Sequence, residues 1–480
     1  MKEVCYLMGK SNGQSDLLPL LPKERTWGSF DFSMVNIGLA IATWSFLIGG
    51  TLSLFVGLKM GFIATLAGNT VSVLLVALSN AIPSSRFGID QYVFLRSIFG
   101  KKGTKIPVIL MVIVEFGWVA TLAVMFGKAS SNVYGAVTNT PPVSNKVVIV
   151  FSLLAILISW LIVSKGSNSI NWLNRIVAPL LVTMLIVMFY MLSQKYSFGE
   201  MLALEPTSPF PNDLHNYIVA FELGLGSGFS WWPIMGGLAR LTKSERASLW
   251  PNMIGINICA VLGTMIGLLA GLAVGDSDPT AWMIPIGGPI LGLIALVFIA
   301  FANVTSMTSL VYSTCLALKQ IKFFRVMDWK RLTFIFLACT AVFAFFPDAI
   351  YGNFSLFLAA CGTVFGPLSA IMFVDYYILR KQKINMRALY LDTSGRPYDF
   401  VGGYNITPII SVAVSVFVYF LILDPISFEG SIFFDYASAT LPAMLLAGIL
   451  YYVITKLFVI PKGMGGYDIP EKREKGERSA

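Results

Sequence analysis

Apolar residues run through this chain in long blocks separated by short polar stretches. From Ile106 to Phe126 there is one acidic residue and no basic one, and from Val147 to Val163 there is no charge at all. About 20 apolar residues are enough to cross the hydrocarbon core of a bilayer as a helix. A window of about 19 residues picks out twelve such segments: 30–57, 61–82, 106–132, 146–164, 173–193, 214–235, 252–274, 286–318, 332–347, 352–379, 407–423 and 438–460. The pattern predicts an all-α integral membrane protein of twelve transmembrane helices. It divides into an N-terminal tail at 1–28, one membrane domain at 29–462 and a C-terminal tail at 463–480.

Composition agrees with that reading. Of 480 residues, 56% are hydrophobic and 12% charged, against about 25% charged in soluble domains. The net charge of +9 does not point to nucleic acid, because the basic residues sit in the short segments between apolar blocks, where topology and lipid headgroups account for them. With both termini placed in the cytoplasm, 30 of the 34 Lys and Arg residues fall on the inner side. Only Lys59, Lys128, Lys146 and Lys195 fall outside. That asymmetry predicts a multi-pass protein of the cell membrane with cytoplasmic termini. The first 28 residues are mixed and polar, so the first apolar helix is expected to act as the targeting signal. Cys5, Cys259, Cys315, Cys339 and Cys361 form no CxxC pair, and four of them lie in apolar blocks, where cysteine behaves as a small hydrophobe.

Two segments carry helix-breaking residues. Segment one reads GLAIATWSFLIGG from Gly38 to Gly50, and segment six reads ELGLGSGFSWWPIMGG from Glu222 to Gly237. Glycine loosens the backbone and proline removes a donor, although the same glycines also suit close helix packing. Breaks five helices apart, in corresponding positions of two repeats, are the mark of a mid-membrane binding site in secondary transporters. Segment eight adds Thr305, Ser306, Thr308 and Ser309, four hydroxyls within five residues. An adjacent Thr–Ser pair opposite loosened carbonyls offers the neutral oxygens that a hard cation such as sodium takes. Two carboxyls lie inside apolar segments, Glu115 and Glu222, and an intramembrane acid is a functional hypothesis by default. Glu115 precedes Trp118 by three residues, one turn away on the same helix face. His215, the only histidine, stands at the outer start of segment six and is expected to be solvated.

These motifs together resemble the nucleobase–cation symporter-1 family, which includes cytosine permease, the hydantoin transporter and purine, uracil and allantoin permeases. DLLPLLPKERTWG (Asp16–Gly28), GGTL (Gly49–Leu52), EFGW (Glu115–Trp118), VDYYILRK (Val374–Lys381) and LYLDTSGRPYDFVGGYN (Leu389–Asn405) are similar to family motifs in the same order. The resemblance implies the leucine-transporter-type fold: two inverted five-helix repeats, helices 1–5 and 6–10, with helices 11 and 12 appended. It implies a sodium site at the carbonyls of Gly38, Ile41 and Ala302 and the side chains of Thr305 and Ser306. It implies a planar ligand stacked on Trp118, with Glu115 where cytosine permease has glutamine. Further substrate contacts are implied at Ala42, Gly228, Phe229, Ser230, Thr308 and Ser309. Gly228 falls where relatives carry the second stacking aromatic and cannot stack, so Phe229 or Trp231 takes that role. The acid that usually precedes the arginine of helix six is Gly237 here, and Ser309 or Val311 stands where some relatives carry an asparagine on helix eight.

The function expected is therefore secondary active import of a nucleobase or related nitrogen heterocycle (purine, pyrimidine, hydantoin or allantoin-like) by sodium symport and alternating access. Two alternatives stay open: proton coupling through Glu115 or Glu222, and transport of a cationic vitamin-like heterocycle. An enzyme is disfavoured, since no His pair, nucleophile elbow or phosphate loop occurs near the apolar segments. No cofactor is expected beyond the sodium ion. The expected partners are the heterocyclic substrate and the lipid bilayer, with no nucleic acid and no obligate protein partner.

Overall fold

The computed structural model of the protein describes residues 18–140, 144–390 and 397–467. Cys5, Asp16, residues 391–396 of the Leu389–Asn405 motif and most of both tails lie outside the described residues. The described chain is helical, and each of the twelve apolar segments carries helix. In chain order the main helices are α1 (Ser29–Ala40), α2 (Thr43–Leu52), α3 (Leu58–Phe87), α4 (Lys105–Thr138), α5 (Asn145–Val163) and α6 (Ser167–Lys195). They continue as α7 (Asp213–Phe229), α8 (Trp232–Ala239), α9 (Glu245–Val274) and α10 (Pro279–Leu318). The last four are α11 (Trp329–Phe343), α12 (Phe354–Leu379), α13 (Ile406–Ile422) and α14 (Thr440–Lys462). Eight of these are long and apolar enough to cross a bilayer, and α1 with α2 makes a ninth if the bent pair is one span. The helices α7, α8, α11 and α13 are shorter.

Both segments with breaking residues are interrupted, but not in the same way. Between α1 and α2 the chain turns by 51°, with Ile41 at φ −96°, ψ 89° and Ala42 at φ −145°, ψ 175°. Between α7 and α8, Ser230 and Trp231 keep near-helical angles. There the bonding tightens, since Trp231 N–H donates to the Gly228 carbonyl and Ile234 N–H to the Trp231 carbonyl. Pro233 stands in the first turn of α8, where its missing N–H is no loss.

The glycines before that interruption do something else. Gly224, Gly226 and Gly228 lie inside continuous α7, and a β-carbon on Gly228 would overlap the Ser72 hydroxyl of α3. Across α2 and α9 the fit is reciprocal: a β-carbon on Gly49 would overlap the Thr264 carbonyl, and one on Gly267 the Phe46 carbonyl. Small residues thus let the paired helices α2–α9 and α3–α7 pack backbone on backbone. The long helix α10 lies along α4. Within α10, Gly288 at φ +70° separates the piece 279–287 from the long helix that follows, so the helix begins seven residues before the apolar segment at 286.

Two polar residues find structural partners. Glu222 accepts from the Ala439 and Thr440 N–H groups at 3.2 Å and from the Thr440 hydroxyl, so it caps α14 from a neighbouring helix. His215 is not solvated as expected: it is 9% exposed. Its Nδ1 lies 2.6 Å from Asp435 and its Nε2 2.9 Å from the Phe428 carbonyl. The covering segment between α13 and α14 could not be placed from sequence spacing.

Candidate functional site

The break at Ile41–Ala42 leaves the last carbonyls of α1 without their helical partners, and α10 brings hydroxyls to them. Thr305 Oγ1 lies 3.0 Å from the Gly38 carbonyl and 2.7 Å from that of Ala302. Ser306 Oγ lies 3.1 Å from the Gly38 carbonyl and 3.3 Å from that of Leu39. All are buried: Thr305 is 1% exposed and Ser306 2%. The structure therefore brings together Gly38, Ala302, Thr305 and Ser306, with Ile41 ending α1 beside them. Hard neutral oxygens gathered this closely, with no formal charge among them, suit a small monovalent cation.

The restart of the helix is held by a residue that the sequence reading passed over. Asn303 of α10 accepts from the Thr43 N–H at 3.3 Å and donates to the Thr43 hydroxyl at 2.8 Å. It also donates to the Ile299 carbonyl at 3.0 Å. An amide has both a donor and an acceptor, so one side chain supplies the cap that Ala42 lacks. The signal was available: an asparagine in an apolar block, two residues before the hydroxyl run.

Next to the oxygen cluster lies a small cavity lined by Leu39, Trp44, Trp118, Leu122, Ser230, Trp231, Ser306 and Leu310. Three indoles form its walls. Trp44 meets Trp118 at 6.0 Å and 82°, and meets Trp231 at 5.4 Å and 68°. Trp118 is backed by Phe354 and Phe357 of α12, at 5.8 and 5.3 Å. The indole N–H of Trp231 has no hydrogen-bond partner among the described residues. Ser230 donates its hydroxyl to the Ser227 carbonyl at 2.6 Å, which leaves its oxygen free to accept.

Of the expected substrate residues, Trp118 and Ser230 line this cavity. Gly228 packs against α3, and Phe229 lies within 3.4 Å of where a β-carbon on Gly366 of α12 would stand. Thr308 and Ser309 turn back along α10 to the Thr305 carbonyl, at 2.7 and 3.4 Å. Ala42 accepts from the Ser45 hydroxyl at 2.9 Å. Glu115 is fully buried one turn before Trp118, and neither carboxyl oxygen has a hydrogen-bond partner among the described residues. The second wall belongs to Trp231, the tryptophan that follows Ser230. Trp44, Leu39, Leu122 and Leu310 were not foreseen. Trp44 alone left a trace, as the one aromatic ring of full indole size in segment one.

The substitution at Gly237 has a counterpart in space. A β-carbon there would stand 3.3 Å from Asp90 Oδ2, and Asp90 lies in the charge field of Arg240. The loop after α3 thus supplies a carboxylate where the resemblance expected one on α8. Burial pushes the Asp90 carboxyl up to about 6, against the opposing pull of Arg240.

Comparison with known proteins agrees with this architecture. Residues 19–437 match the family described as permease for cytosine/purines, uracil, thiamine, allantoin. A curated relative is the purine-uracil permease NCS1 of Arabidopsis thaliana, 26% identical, with 92% of this chain and 77% of the relative covered. Among solved structures, the nucleobase-cation-symport-1 transporter Mhp1, closed with bromovinylhydantoin bound, superposes with a TM-score of 0.76 at 19% identity. That match covers 94% of this chain and 97% of Mhp1. A Na+-coupled sialic acid symporter in its substrate-bound outward-open state gives 0.63 at 14% identity, covering 95% and 94%. With its apolar spans, its broken first helix and a family match over most of its length, the chain belongs to the permease family for cytosine/purines, uracil, thiamine and allantoin and is a multi-pass membrane protein.

Proposed function

We propose that the protein is a sodium symporter that imports a nucleobase or related nitrogen heterocycle across the cell membrane by alternating access. In this reading α1 and α2 form one broken crossing, and α7 with α8 another. The chain then has twelve transmembrane helices, arranged as two inverted five-helix repeats with α13 and α14 appended and both termini cytoplasmic. The observation that carries the reading is an aromatic cavity sharing its wall with an oxygen cluster. Ser306 belongs to both, since it lines the cavity and reaches the Gly38 carbonyl at 3.1 Å. That sodium drives a solved neighbour, the sialic acid symporter, supports the choice of ion.

Each group has a role in this mechanism. Gly38, Ile41 and Ala302 would hold the ion through carbonyls, and Thr305 and Ser306 through hydroxyl oxygens whose hydrogens turn away from it. A flat ring would lie between Trp118 and Trp231, since stacking tolerates any heterocycle with a π-face. Selection would fall to the edges. The unpartnered Trp231 N–H suits a ligand carbonyl, and the Ser230 oxygen suits a ligand N–H. Leu122 and Leu310 make the rest of the rim apolar. Glu115, Ala42, Gly228, Phe229, Thr308 and Ser309 would act behind this lining rather than in it.

The test is Thr305→Ala in proteoliposomes, with radiolabelled uracil, hypoxanthine, hydantoin and allantoin as probes. A hydrogen bond or ligand contact to a charged group is worth about 1.5–3 kcal/mol. Removing one oxygen of five should therefore raise the half-saturating sodium concentration at least about tenfold and leave the protein folded. Wild-type uptake that ignores sodium but collapses with a protonophore would overturn the choice of ion.

A second reading, proton coupling, rests on one observation: Glu115 is a buried acid without a partner among the described residues. Glu222 offers less, because its oxygens already cap α14. Under this reading an imposed pH gradient drives uptake without sodium in wild type, and Glu115→Gln abolishes it. Sodium-free vesicles that show no such uptake in wild type dismiss the proton reading.

A further inference from the structure

The third indole of the cavity is tied to the ion cluster. Trp44 stands in the first turn of α2, yet its Nε1–H reaches back across the break and donates to the Leu39 carbonyl at 3.0 Å. The same carbonyl lies 3.3 Å from Ser306 Oγ. Ser306 thus faces two acceptors, the carbonyls of Gly38 and Leu39, and has one hydrogen to give. When Ser306 Oγ and the Gly38 carbonyl both turn lone pairs to a cation, that hydrogen must leave Gly38. Leu39 is the other acceptor within reach. Its carbonyl then takes two donors, one from Ser306 and one from Trp44, and the peptide between α1 and α2 is fixed from both sides.

The ring thereby held is the one that meets both of the others, Trp118 at 6.0 Å and Trp231 at 5.4 Å. Asn303 pins the adjacent Thr43, so Trp44 pivots on a backbone anchored by α10. The geometry points to Trp44 as the positioning residue that couples the cation cluster to the substrate cavity, through Leu39 O and Ser306 Oγ. The inference rests on the sodium and heterocycle reading above and adds the connection between its two sites. Coupling of this kind is reciprocal, and commonly amounts to 5–150-fold in affinity.

The experiment measures binding rather than transport. Purified protein is titrated with the tightest heterocycle from the uptake panel, with sodium and with choline in its place, and sodium alone is tested by thermal shift. Wild type should bind the heterocycle about 5–150-fold more tightly in sodium. Trp44→Phe keeps a ring but has no N–H, so whatever the smaller ring costs in the cavity, its affinities with and without sodium should agree within about twofold. Sodium alone should still stabilise that variant, because every proposed ion ligand remains. A packing role for Trp44 would weaken both affinities together and leave their ratio intact, and that result overturns the coupling. Should Trp44→Phe fail to fold, Trp44→Met, of adaptable shape and also without an N–H, gives the same ratio test. Wild-type binding indifferent to sodium would overturn the inference together with the sodium reading. Sodium-sensitive binding that either variant preserves would overturn the inference alone.

Discussion

Replacing both Trp118 and Trp231 with alanine is expected to abolish measurable binding of any heterocycle, and each single replacement to weaken it by about 5–150-fold. That range converts the ~1–3 kcal/mol attributed to stacking one base on an aromatic ring. The two singles should differ in a second respect. Trp118 also packs on Phe354 and Phe357 of α12, so Trp118→Ala leaves a void in the core and should cost about 3–5 kcal/mol of stability as well. Among the described residues, Trp231 is in close aromatic contact with the Trp44 ring alone, and Trp231→Ala should separate affinity from stability more cleanly. Trp118→Phe should recover part of both. Scintillation proximity binding at fixed sodium gives the affinities, and thermal unfolding without ligand gives the stabilities. Equal affinities for wild type and Trp231→Ala would show that the ring between α7 and α8 is packing, and that the cavity is not the binding site.

What could be read from sequence followed from period and composition. Apolar blocks separated by polar stretches are a one-dimensional property, so every segment falls on helix, although several limits miss the helix ends by five to seven residues. The Thr305–Ser306 pair drew attention for a similar reason, because four hydroxyls fall within five residues of one apolar block. The cavity was harder. Its walls come from α1, α2, α4, the α7–α8 turn and α10, and only the fold says which side of each helix faces inward. Segment six shows the difficulty well. Four breaking residues in sequence implied a ligand site among the glycines, but Gly224 and Gly228 serve contact of α7 with α3, and Gly226 contact with Leu358 of α12. The opening lies just after them, at Ser230 and Trp231. Glu222 and His215 show the same limit, since both are satisfied by the segment from Phe428 to Thr440, some 210 residues away in sequence.

Asp375→Ala is expected to be among the most destabilising substitutions outside the cavity, costing about 3–5 kcal/mol, the range for removing one partner of a buried ion pair. Asp375 and Arg380 are the chemistry within the VDYYILRK motif that closes α12. Their side chains are wholly buried, with Arg380 Nε 2.6 Å from Asp375 Oδ2. Both carboxylate oxygens and all three guanidinium nitrogens are hydrogen-bonded. Tyr451 of α14 and Tyr467 beyond it donate hydroxyls to Asp375 Oδ1 at 2.8 and 2.9 Å. The guanidinium also donates to the carbonyls of Ser97 and Gly465, each at 2.6 Å. One ion pair thus fastens the end of α12 to the loop after α3, to α14 and to the last described residues of the chain. Arg380→Lys should be nearly as harmful as loss of the acid, because an ammonium cannot reproduce a planar fork aimed at three acceptors. Asp375→Asn keeps an acceptor for the tyrosines and should fall between. Denaturation in mixed micelles measures the cost, and proteolysis near Gly465 reports release of the strap. If Asp375→Ala and Arg380→Lys both unfold like wild type with the strap still protected, the cluster is incidental, and α12 is held by its packing against α14 instead.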